Sequence, residues 1–119
     1  MNIGSVLRLL SGLLVLVLAG AGVSAQAQVA IVLNSRDATV SLVDQKTLTE
    51  IGRVEVGKEP HHLYLKPDGK SLIVANAISN DLHFLDPTTG QVQRRVRNID
   101  DPYQIAFSPD NKWFVAVGL

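Results

Sequence analysis

The chain has 119 residues with 11 basic and 11 acidic side chains, so its formal net charge is zero, and it contains no cysteine. The balanced charge gives no electrostatic reason to expect a nucleic acid or an anionic membrane as partner. The absence of cysteine excludes a disulfide framework, a thiolate metal site and a lipid-anchored cysteine. A fold of this composition depends on its apolar core.

The first 27 residues have the composition of an export signal. Arg8 is the only charged residue among them, and it precedes an apolar run over 9–18, a small-residue stretch over 19–22 and the segment Ala25-Gln26-Ala27. This order is typical of a secretory signal peptide cleaved after Ala25 or after Ala27. The alternative, an uncleaved anchor, is less favoured because a spanning helix requires about 20 apolar residues. Export without cysteine predicts a bacterial periplasmic protein that has no membrane contact after cleavage.

A gapless repeat of 42 residues begins at residue 29. When 29–77 is aligned with 71–119, eleven of the 49 pairs are identical. The identities include Asn34/Asn76, Asp44/Asp86, Arg53/Arg95, Pro60/Pro102, Pro67/Pro109, Asp68/Asp110 and Lys70/Lys112. A fixed period near 40 residues is typical of stacked or radially arranged units that cannot bury their apolar surface alone. The pattern predicts units over 29–70 and 71–112 and the start of a third at 113.

Each unit contains four short apolar or alternating runs separated by turn residues, which indicates an all-β fold. The predicted strands are 29–33, 39–44, 50–55, 63–66, 71–75, 81–86, 92–97, 104–107 and 113–117. No helical apolar stripe follows residue 27, so no helix is predicted there. The runs 29–33 and 72–75 are apolar throughout, which predicts strands covered on both faces.

The connections between these runs have the chemistry of tight turns. Proline precedes Gly69 by two residues in the segment 67–70, and Asn111 takes the place of Gly69 in the next unit. Glycine and asparagine are the residues that best tolerate a positive φ. Asp44 and Asp86 lie at the same position of successive units, so they are predicted to cap turns and not to form a catalytic acid pair.

The segments 56–60, 66–70, 74–76 and 81–86 resemble the YVTN β-propeller repeat, and the resemblance covers 29–119. It implies a β-propeller of four-stranded antiparallel blades, with 63–66 innermost and 92–97 outermost in the complete blade. Propellers have about 4 to 8 blades. We therefore expect the chain to be an incomplete N-terminal fragment of about two blades. Its open sheet edges would favour self-association.

The same resemblance places the loops 57–62 and 99–104 at a channel mouth, together with 35–38 and 77–80. His61 and His62 are the titratable pair in this region, and imidazole binds metals or haem iron. They are the tentative cofactor-binding residues, although packing or solvated polar roles remain open. Adjacent residues of an extended chain point to opposite sides, so the two are not expected to chelate one ion. No metal site is predicted.

Two further groups of charged or titratable residues are interpreted as structural. His83 takes the place of Ser41 in a middle strand, away from the predicted mouth. Arg94, Arg95 and Arg97 lie on the predicted outer strand. Charges on an edge strand oppose sheet-to-sheet association, and this interpretation is favoured over a binding patch.

The sequence favours an exported binding or scaffold module, with an unidentified small molecule or protein as partner. No catalytic motif is present, so no catalytic residue is predicted and an enzyme is not favoured. The alternative is a cofactor-handling or enzymatic propeller. It rests on the segment 57–62 followed by 67–69, which is similar to segments of the haem-binding propeller of cytochrome-cd nitrite reductases and of lactonase-type propellers. In that case His61 or His62 would be an axial ligand or a hydrolytic-site residue. Haem would then be the cofactor, whereas the repeat itself requires none.

Overall fold

The computed structural model describes residues 28–119, which form nine β-strands and no helix. The strands are β1 (Val29–Asn34), β2 (Thr39–Asp44), β3 (Thr49–Glu55), β4 (Pro60–Leu65), β5 (Leu72–Asn76), β6 (Asp81–Leu85), β7 (Val92–Arg97), β8 (Pro102–Phe107) and β9 (Phe114–Gly118). The predicted signal peptide lies outside the described residues. Within the described part of the chain, no helix is long and apolar enough to cross a membrane.

The strands form three antiparallel sheets in the orders β1-β2-β3, β4-β5-β6-β7 and β8-β9. The middle sheet is a complete four-stranded blade, and its first strand contacts both β8 and β1. Its last strand, β7, is exposed at five of six positions. The predicted all-β architecture of four-stranded propeller blades is confirmed, with β4 as the inner and β7 as the outer strand.

The 42-residue period is also present in the backbone conformation. Positive φ angles occur in four equivalent pairs, namely Ala38 and Asn80, Leu48 and Gly90, Glu59 and Asp101, and Gly69 and Asn111. The predicted positive φ at Gly69 and Asn111 is therefore confirmed. Since a positive φ is unfavourable for most residues, its recurrence shows that the turn geometry belongs to the repeat unit and not to the local side chain.

Two apolar cores hold the sheets together. The first lies between the first two sheets and contains buried Val40, Leu72, Val74 and Leu85, with Ile31, Leu33, Val56 and Leu63 packed against it. The second joins the middle sheet to the third and contains buried Ile73, Ala75, Leu82 and Ile105. A fully buried Leu, Ile or Val side chain contributes about 1.5–3 kcal/mol, so these interfaces are a major source of stability.

Strand β5 separates the two cores. Leu72 and Val74 belong to the first core, whereas Ile73 and Ala75 belong to the second, and all five residues of the strand are buried. The prediction of burial on both faces is correct for this strand. It is only partly correct for β1, because Val32 is 45% exposed while Ile31 and Leu33 pack against the first core.

The inner strands begin earlier than predicted. β4 starts at Pro60 instead of Leu63, and β8 starts at Pro102 instead of Gln104. Proline cannot donate a hydrogen bond to the ladder, so it is confined to positions such as the first residue of a strand. A register shift follows each proline, between Pro60 and His62 and between Pro102 and Gln104. The extra residue at each shift is His61 in β4 and Tyr103 in β8.

Candidate functional site

Four connecting segments lie together at one end of the sheets, and we call this end the mouth end. They are 35–38, 56–59, 77–80 and 98–101. Ser35 Oγ donates to the Pro60 carbonyl at 2.8 Å, and the Lys58 N–H donates to Ser79 Oγ at 2.8 Å. The Asp101 N–H donates to Asn80 Oδ1 at 2.9 Å. These hydrogen bonds join the connections to one another and to the first residue of β4, so the mouth end is held together by its own polar groups.

The opposite end, which we call the turn end, consists of 45–48, 66–71, 86–91 and 108–113. Asp44 Oδ1 accepts hydrogen bonds from the N–H groups of Lys46 and Thr47, and Asp86 Oδ1 accepts the same pair from Thr88 and Thr89. The backbone N–H and hydroxyl of Thr47 hold the pKa of Asp44 below its ordinary value. Both aspartates cap turns, as predicted, and they lie far from the mouth.

His61 lies at the mouth end and stacks on Tyr103, its equivalent in the next unit. The two ring centroids are 3.6 Å apart, and the ring planes are inclined by 33°. Each residue lies at the register shift of its strand, where it has no partner across the ladder. A β-bulge redirects the side chain that it carries, and this places two planar side chains in contact. His61 is exposed, so one face of this pair is open to solvent.

His62 is not part of this pair. It lies opposite Ala75 in the ladder and is half-buried. The two adjacent histidines therefore occupy different environments. Within residues 28–119, no group of three His, Asp or Glu side chains is arranged to hold a metal ion.

Two clefts open side by side at the mouth end. The first, about 480 Å³ in volume, is lined by Ser35, Arg36, Ala38, Lys58, Glu59 and Ile78. The second, about 410 Å³, is lined by Glu59, Ala77, Ile78, Asn80, Asp101, Tyr103 and Leu119. Glu59 and Ile78 form the wall between them, and Ile78 is 64% exposed. Volumes of this size fall within the range of small-molecule sites.

A buried polar cluster supports this wall, and it was not predicted from the sequence. The Asp81 carboxylate is completely buried and accepts hydrogen bonds from Asn76 Nδ2 at 2.8 Å, Ser79 Oγ at 2.9 Å and Arg95 Nε at 2.5 Å. Burial raises the pKa of Asp81, but the hydrogen bonds from Asn76, Ser79 and Arg95 outweigh it, and the pKa lies below its ordinary value. Asp81 is therefore an anion at neutral pH.

Gly57 packs directly against this cluster. A Cβ at this position would overlap Ser79 Oγ, Asp81 Oδ1 and Asn76 Cβ. Glycine is therefore required for the close approach of the 56–59 loop to the cluster. Ser79 donates to the buried Asp81 carboxylate and also accepts the N–H of Lys58, which lines the first cleft. The carboxylate therefore fixes this part of the cleft wall through Ser79.

His83 lies beside the same cluster and lines neither cleft. It is 7% exposed, and its Nε2 is 3.6 Å from Asp81 Oδ2. Neither ring nitrogen has a hydrogen-bond partner among the described residues. Burial lowers the pKa of His83, the nearby Asp81 carboxylate opposes this effect, and Arg95 adds to it, so the imidazole titrates below its ordinary range.

The arginines of β7 have more specific roles than protection of an edge. Arg95 forms a two-point ion pair with buried Asp81. The Arg94 guanidinium lies 4.5 Å from the centre of the Phe84 ring, a cation–π contact. Two of the three arginines are thus engaged by residues of the same sheet, which further weakens the alternative of a binding patch.

Comparison with known proteins identifies relatives of this architecture. A family model described as YNCE-like beta-propeller matches residues 5–118. The chain is similar to hydrazine synthase of Kuenenia stuttgartiensis, with 29% identity and a TM-score of 0.66 over 76% of this chain and 26% of that one. It is also similar to the dihydro-heme d1 dehydrogenase NirN, with 22% identity and a TM-score of 0.64 over 76% and 20% of the two chains.

A functionally unknown protein from Desulfotomaculum acetoxidans has the same fold, with 22% identity and a TM-score of 0.63 over 76% of this chain and 31% of that one. None of the curated proteins compared with the sequence matches it. The chain therefore spans between a fifth and a third of the length of these three solved structures.

Proposed function

Because the chain belongs to the YNCE-like beta-propeller family, we propose that it is a binding module that uses the mouth end to hold a small molecule or a short segment of another protein. The observation that carries this proposal is the pair of adjacent clefts, which share the exposed side chain of Ile78. An exposed isoleucine within two polar-walled clefts provides apolar contact, and the surrounding polar groups provide orientation.

The cross-linking of the mouth end favours binding by a preformed surface. Ser35 donates a hydrogen bond to the first residue of β4, and Lys58 and Asp101 each donate one to a neighbouring loop. A surface that is already ordered loses less conformational entropy when a ligand binds. In contrast, no described carboxylate lies within ion-pair distance of His61 or His62, so the arrangement offers neither of them an orienting partner for acid–base catalysis.

Ligand-observed NMR with a fragment library tests the proposal, with amide shifts of the 15N-labelled chain used to locate each bound fragment. We expect the shifts to occur at 35–38, 56–59 and 77–80, and Ile78→Ser to weaken binding. Leu48→Ser is the matched control, because Leu48 is an equally apolar and even more exposed side chain at the turn end. Fragments that bind only at the turn end, or that are insensitive to Ile78→Ser, would contradict the proposal.

A cofactor-handling propeller is the second candidate function, and the contact between His61 and Tyr103 favours it. The exposed imidazole of His61 lies at a bulge and stacks on an aromatic ring, a position from which a ring nitrogen can reach a ligand in the channel. Haem iron accepts such a nitrogen. His61 fits this role better than His62, which is half-buried within the sheet.

The test of this candidate is spectroscopic. The chain is titrated with haem, and the visible spectrum is compared among the unaltered protein, His61→Ala and His62→Ala. Axial ligation by His61 predicts a changed spectrum only in His61→Ala. If haem binds and both variants keep the unaltered spectrum, neither histidine is a ligand.

Export to the periplasm is part of the main proposal, and it is supported by the sequence of residues 1–27. Fractionation of a bacterial host followed by N-terminal sequencing provides the test. We expect the periplasmic form to begin at Gln26 or Gln28, corresponding to cleavage after Ala25 or Ala27. A cytoplasmic protein that retains Met1 would contradict this part of the proposal.

A further inference from the structure

The two clefts at the mouth end have the same architecture but different charges. The first contains the cationic residues Arg36 and Lys58 and one acid, Glu59. The second contains the acids Glu59 and Asp101 and no basic residue. In the 42-residue repeat, Arg36 corresponds to Ile78 and Lys58 corresponds to Asp100. The positive charge of the first cleft is therefore specific to that cleft and is not a property of the repeat.

The two cations of the first cleft have no acidic partner within the described residues. Neither Arg36 nor Lys58 forms an ion pair there, whereas Arg53 pairs with Glu50 and Asp37, and Lys66 pairs with Asp68. Arg36 and Lys58 also form no side-chain hydrogen bonds within 28–119; the only bond of Lys58 there is made by its backbone N–H, to Ser79 Oγ. Their donors are available to a ligand.

The backbone that carries these cations is fixed. The residue before Arg36, Ser35, is tied to the Pro60 carbonyl, and Lys58 is tied through its own N–H to Ser79. Gly57 allows the Lys58 loop to lie against the buried Asp81 cluster. Two cationic side chains thus line the cleft from anchored positions, and the exposed Ile78 in the same lining gives the cleft an apolar surface beside its positive charge.

We propose that the first cleft binds a small organic anion with one carboxylate and an apolar body. The guanidinium of Arg36 and the ammonium of Lys58 would hold the carboxylate, because a guanidinium fork matches the two oxygens of that group. Ile78 and Ala38 would contact the apolar body. With Glu59 in the same cleft the net charge of its lining is plus one, which favours a monoanion over a polyanion. This inference rests on the proposed binding function and specifies its ligand class.

The test uses benzoate as the probe and benzamide as its neutral counterpart of nearly the same shape. Both are titrated into the 15N-labelled full chain. We expect benzoate to shift the amides of 35–38, 56–59 and Ile78 and to bind more tightly than benzamide. Arg36→Gln and Lys58→Gln should each weaken benzoate binding about fivefold, as expected of an ion pair that water still reaches. Benzamide binding should not change.

Two control variants separate a local contact from a general effect of charge. Lys46→Gln removes a cation at the turn end and should leave benzoate binding unchanged. Glu59→Gln should strengthen benzoate binding by about twofold, because it removes the one acidic residue of the cleft lining. The inference is overturned if the double variant of Arg36 and Lys58 binds benzoate as tightly as the unaltered chain, or if Lys46→Gln weakens binding equally.

The outcomes also distinguish this inference from the proposed function. If benzoate does not bind but library fragments of other charge bind at the mouth end and are weakened by Ile78→Ser, the ligand class is wrong and the binding function stands. If neither benzoate nor any fragment shifts an amide of the mouth end, both are wrong.

Discussion

The guanidinium of Arg95 donates a hydrogen bond from Nε to Oδ2 of Asp81, and its Nη2 forms an ion pair with the same oxygen of this completely buried carboxylate. The equivalent residues of the preceding unit are Arg53 and Thr39. There the arginine pairs with the exposed Glu50 and Asp37 instead. Asp81 stands where the preceding unit has Thr39. Arg95 is therefore the partner of a buried anion, whereas Arg53 pairs only with exposed carboxylates.

We expect Arg95→Gln to destabilise the protein by about 1–3 kcal/mol, because a buried carboxylate loses its charged partner. The loss of stability should lie toward the lower end of this range, since the Arg95 side chain is 39% exposed and water can replace part of the interaction. Arg53→Gln is the matched control and should change stability little, because its partners are exposed. Urea unfolding of the three proteins measures both effects. Equal losses for the two variants would contradict the assignment.

This cluster also shows what the sequence could not predict. The repeat period, the strands and the turn residues follow from residue spacing, and they determine the blade. The Asp81 cluster depends on cross-strand register, which places His83 opposite Arg95 and Asp81 opposite Arg97. Asp81 and Arg95 are therefore diagonal neighbours on one face, close enough for long side chains to meet. The signal that the sequence offers is that Thr39 of the first unit is replaced by Asp81 in the second, while arginine is kept at the equivalent positions 53 and 95.

The contact between His61 and Tyr103 could be predicted only in part. Their equivalence in the repeat and their place at the mouth end follow from the sequence. The stacking depends on a register shift in each inner strand, and neither shift has a signal beyond the proline that precedes it. The two clefts are formed by loops of successive units, so their lining depends on how the sheets pack.

Stability should decrease on acidification because His83 is buried. Its pKa lies below the ordinary value of 6.5, so the folded protein binds fewer protons at His83 than the unfolded chain once the pH falls below that value. Stability is thus complete above about pH 6.5 and decreases as the pH falls through the ordinary range of histidine titration. Asp81 does not contribute in this range, because its pKa is lowered from 3.8 and it remains ionised.

His83→Ser is the variant that tests this dependence, because serine occupies the equivalent position 41. We expect the melting temperature of the unaltered protein to decrease between pH 7.5 and pH 5.5, and that of the variant to decrease less. In the preceding unit the Asn34 amide donates a hydrogen bond to the Ser41 hydroxyl at 2.8 Å, so serine at position 83 would be next to a polar neighbour, the equivalent Asn76. An identical pH dependence in both proteins would show that another group is responsible.

Leu48 and Gly90 provide a test of backbone conformation at the turn end. They are equivalent residues with φ of 55° and 71°. Leu48 is 80% exposed, so its side chain contributes little packing, while the positive φ costs about 1–2 kcal/mol for a residue with a Cβ. Leu48→Gly should therefore stabilise the protein by about 0.5–1 kcal/mol, because greater freedom of glycine in the unfolded chain offsets part of this gain.

The reciprocal change should be unfavourable. A Cβ on Gly90 would lie 2.8 Å from Leu42 Cδ1 and 2.9 Å from Val54 Cγ2. Gly90→Ala combines the unfavourable φ with overpacking between the first two sheets, so we expect a loss of about 2 kcal/mol or more. Chemical denaturation of the two variants provides the comparison. A loss of stability in Leu48→Gly, or none in Gly90→Ala, would contradict this account.

Ser79 is expected to control the order of the mouth end. Its hydroxyl accepts the Lys58 N–H and donates to Asp81, so Ser79→Ala removes the connection between the 56–59 loop and the buried cluster. We expect the Lys58 amide to exchange with solvent about tenfold faster or more, which corresponds to a net hydrogen bond of about 1.4 kcal/mol. Ser71→Ala, at the turn end, is the control and should leave that amide unchanged. Unaltered exchange of Lys58 in Ser79→Ala would exclude this role.

Self-association is expected from the outer face of the third sheet. Val115 and Val117 of β9 are 50% and 54% exposed, whereas the equivalent residues of β5, Ile73 and Ala75, are completely buried beneath β8. This face therefore carries the apolar side chains of a packed interface, and within the described residues no sheet covers it. Exposed apolar faces and unpaired strand edges favour association between chains.

Sedimentation at increasing concentration measures this association. We expect the unaltered chain to form oligomers and the double variant Val115→Glu/Val117→Glu to remain smaller at the same concentration, because charges on the face oppose its burial. The control is Leu48→Glu/Ile51→Glu, which adds the same charge at two exposed apolar residues, one in the turn before β3 and one in β3 itself. If the unaltered chain is monomeric at all concentrations, the face does not drive association. If the control variant dissociates the oligomers equally well, added charge rather than this face is responsible.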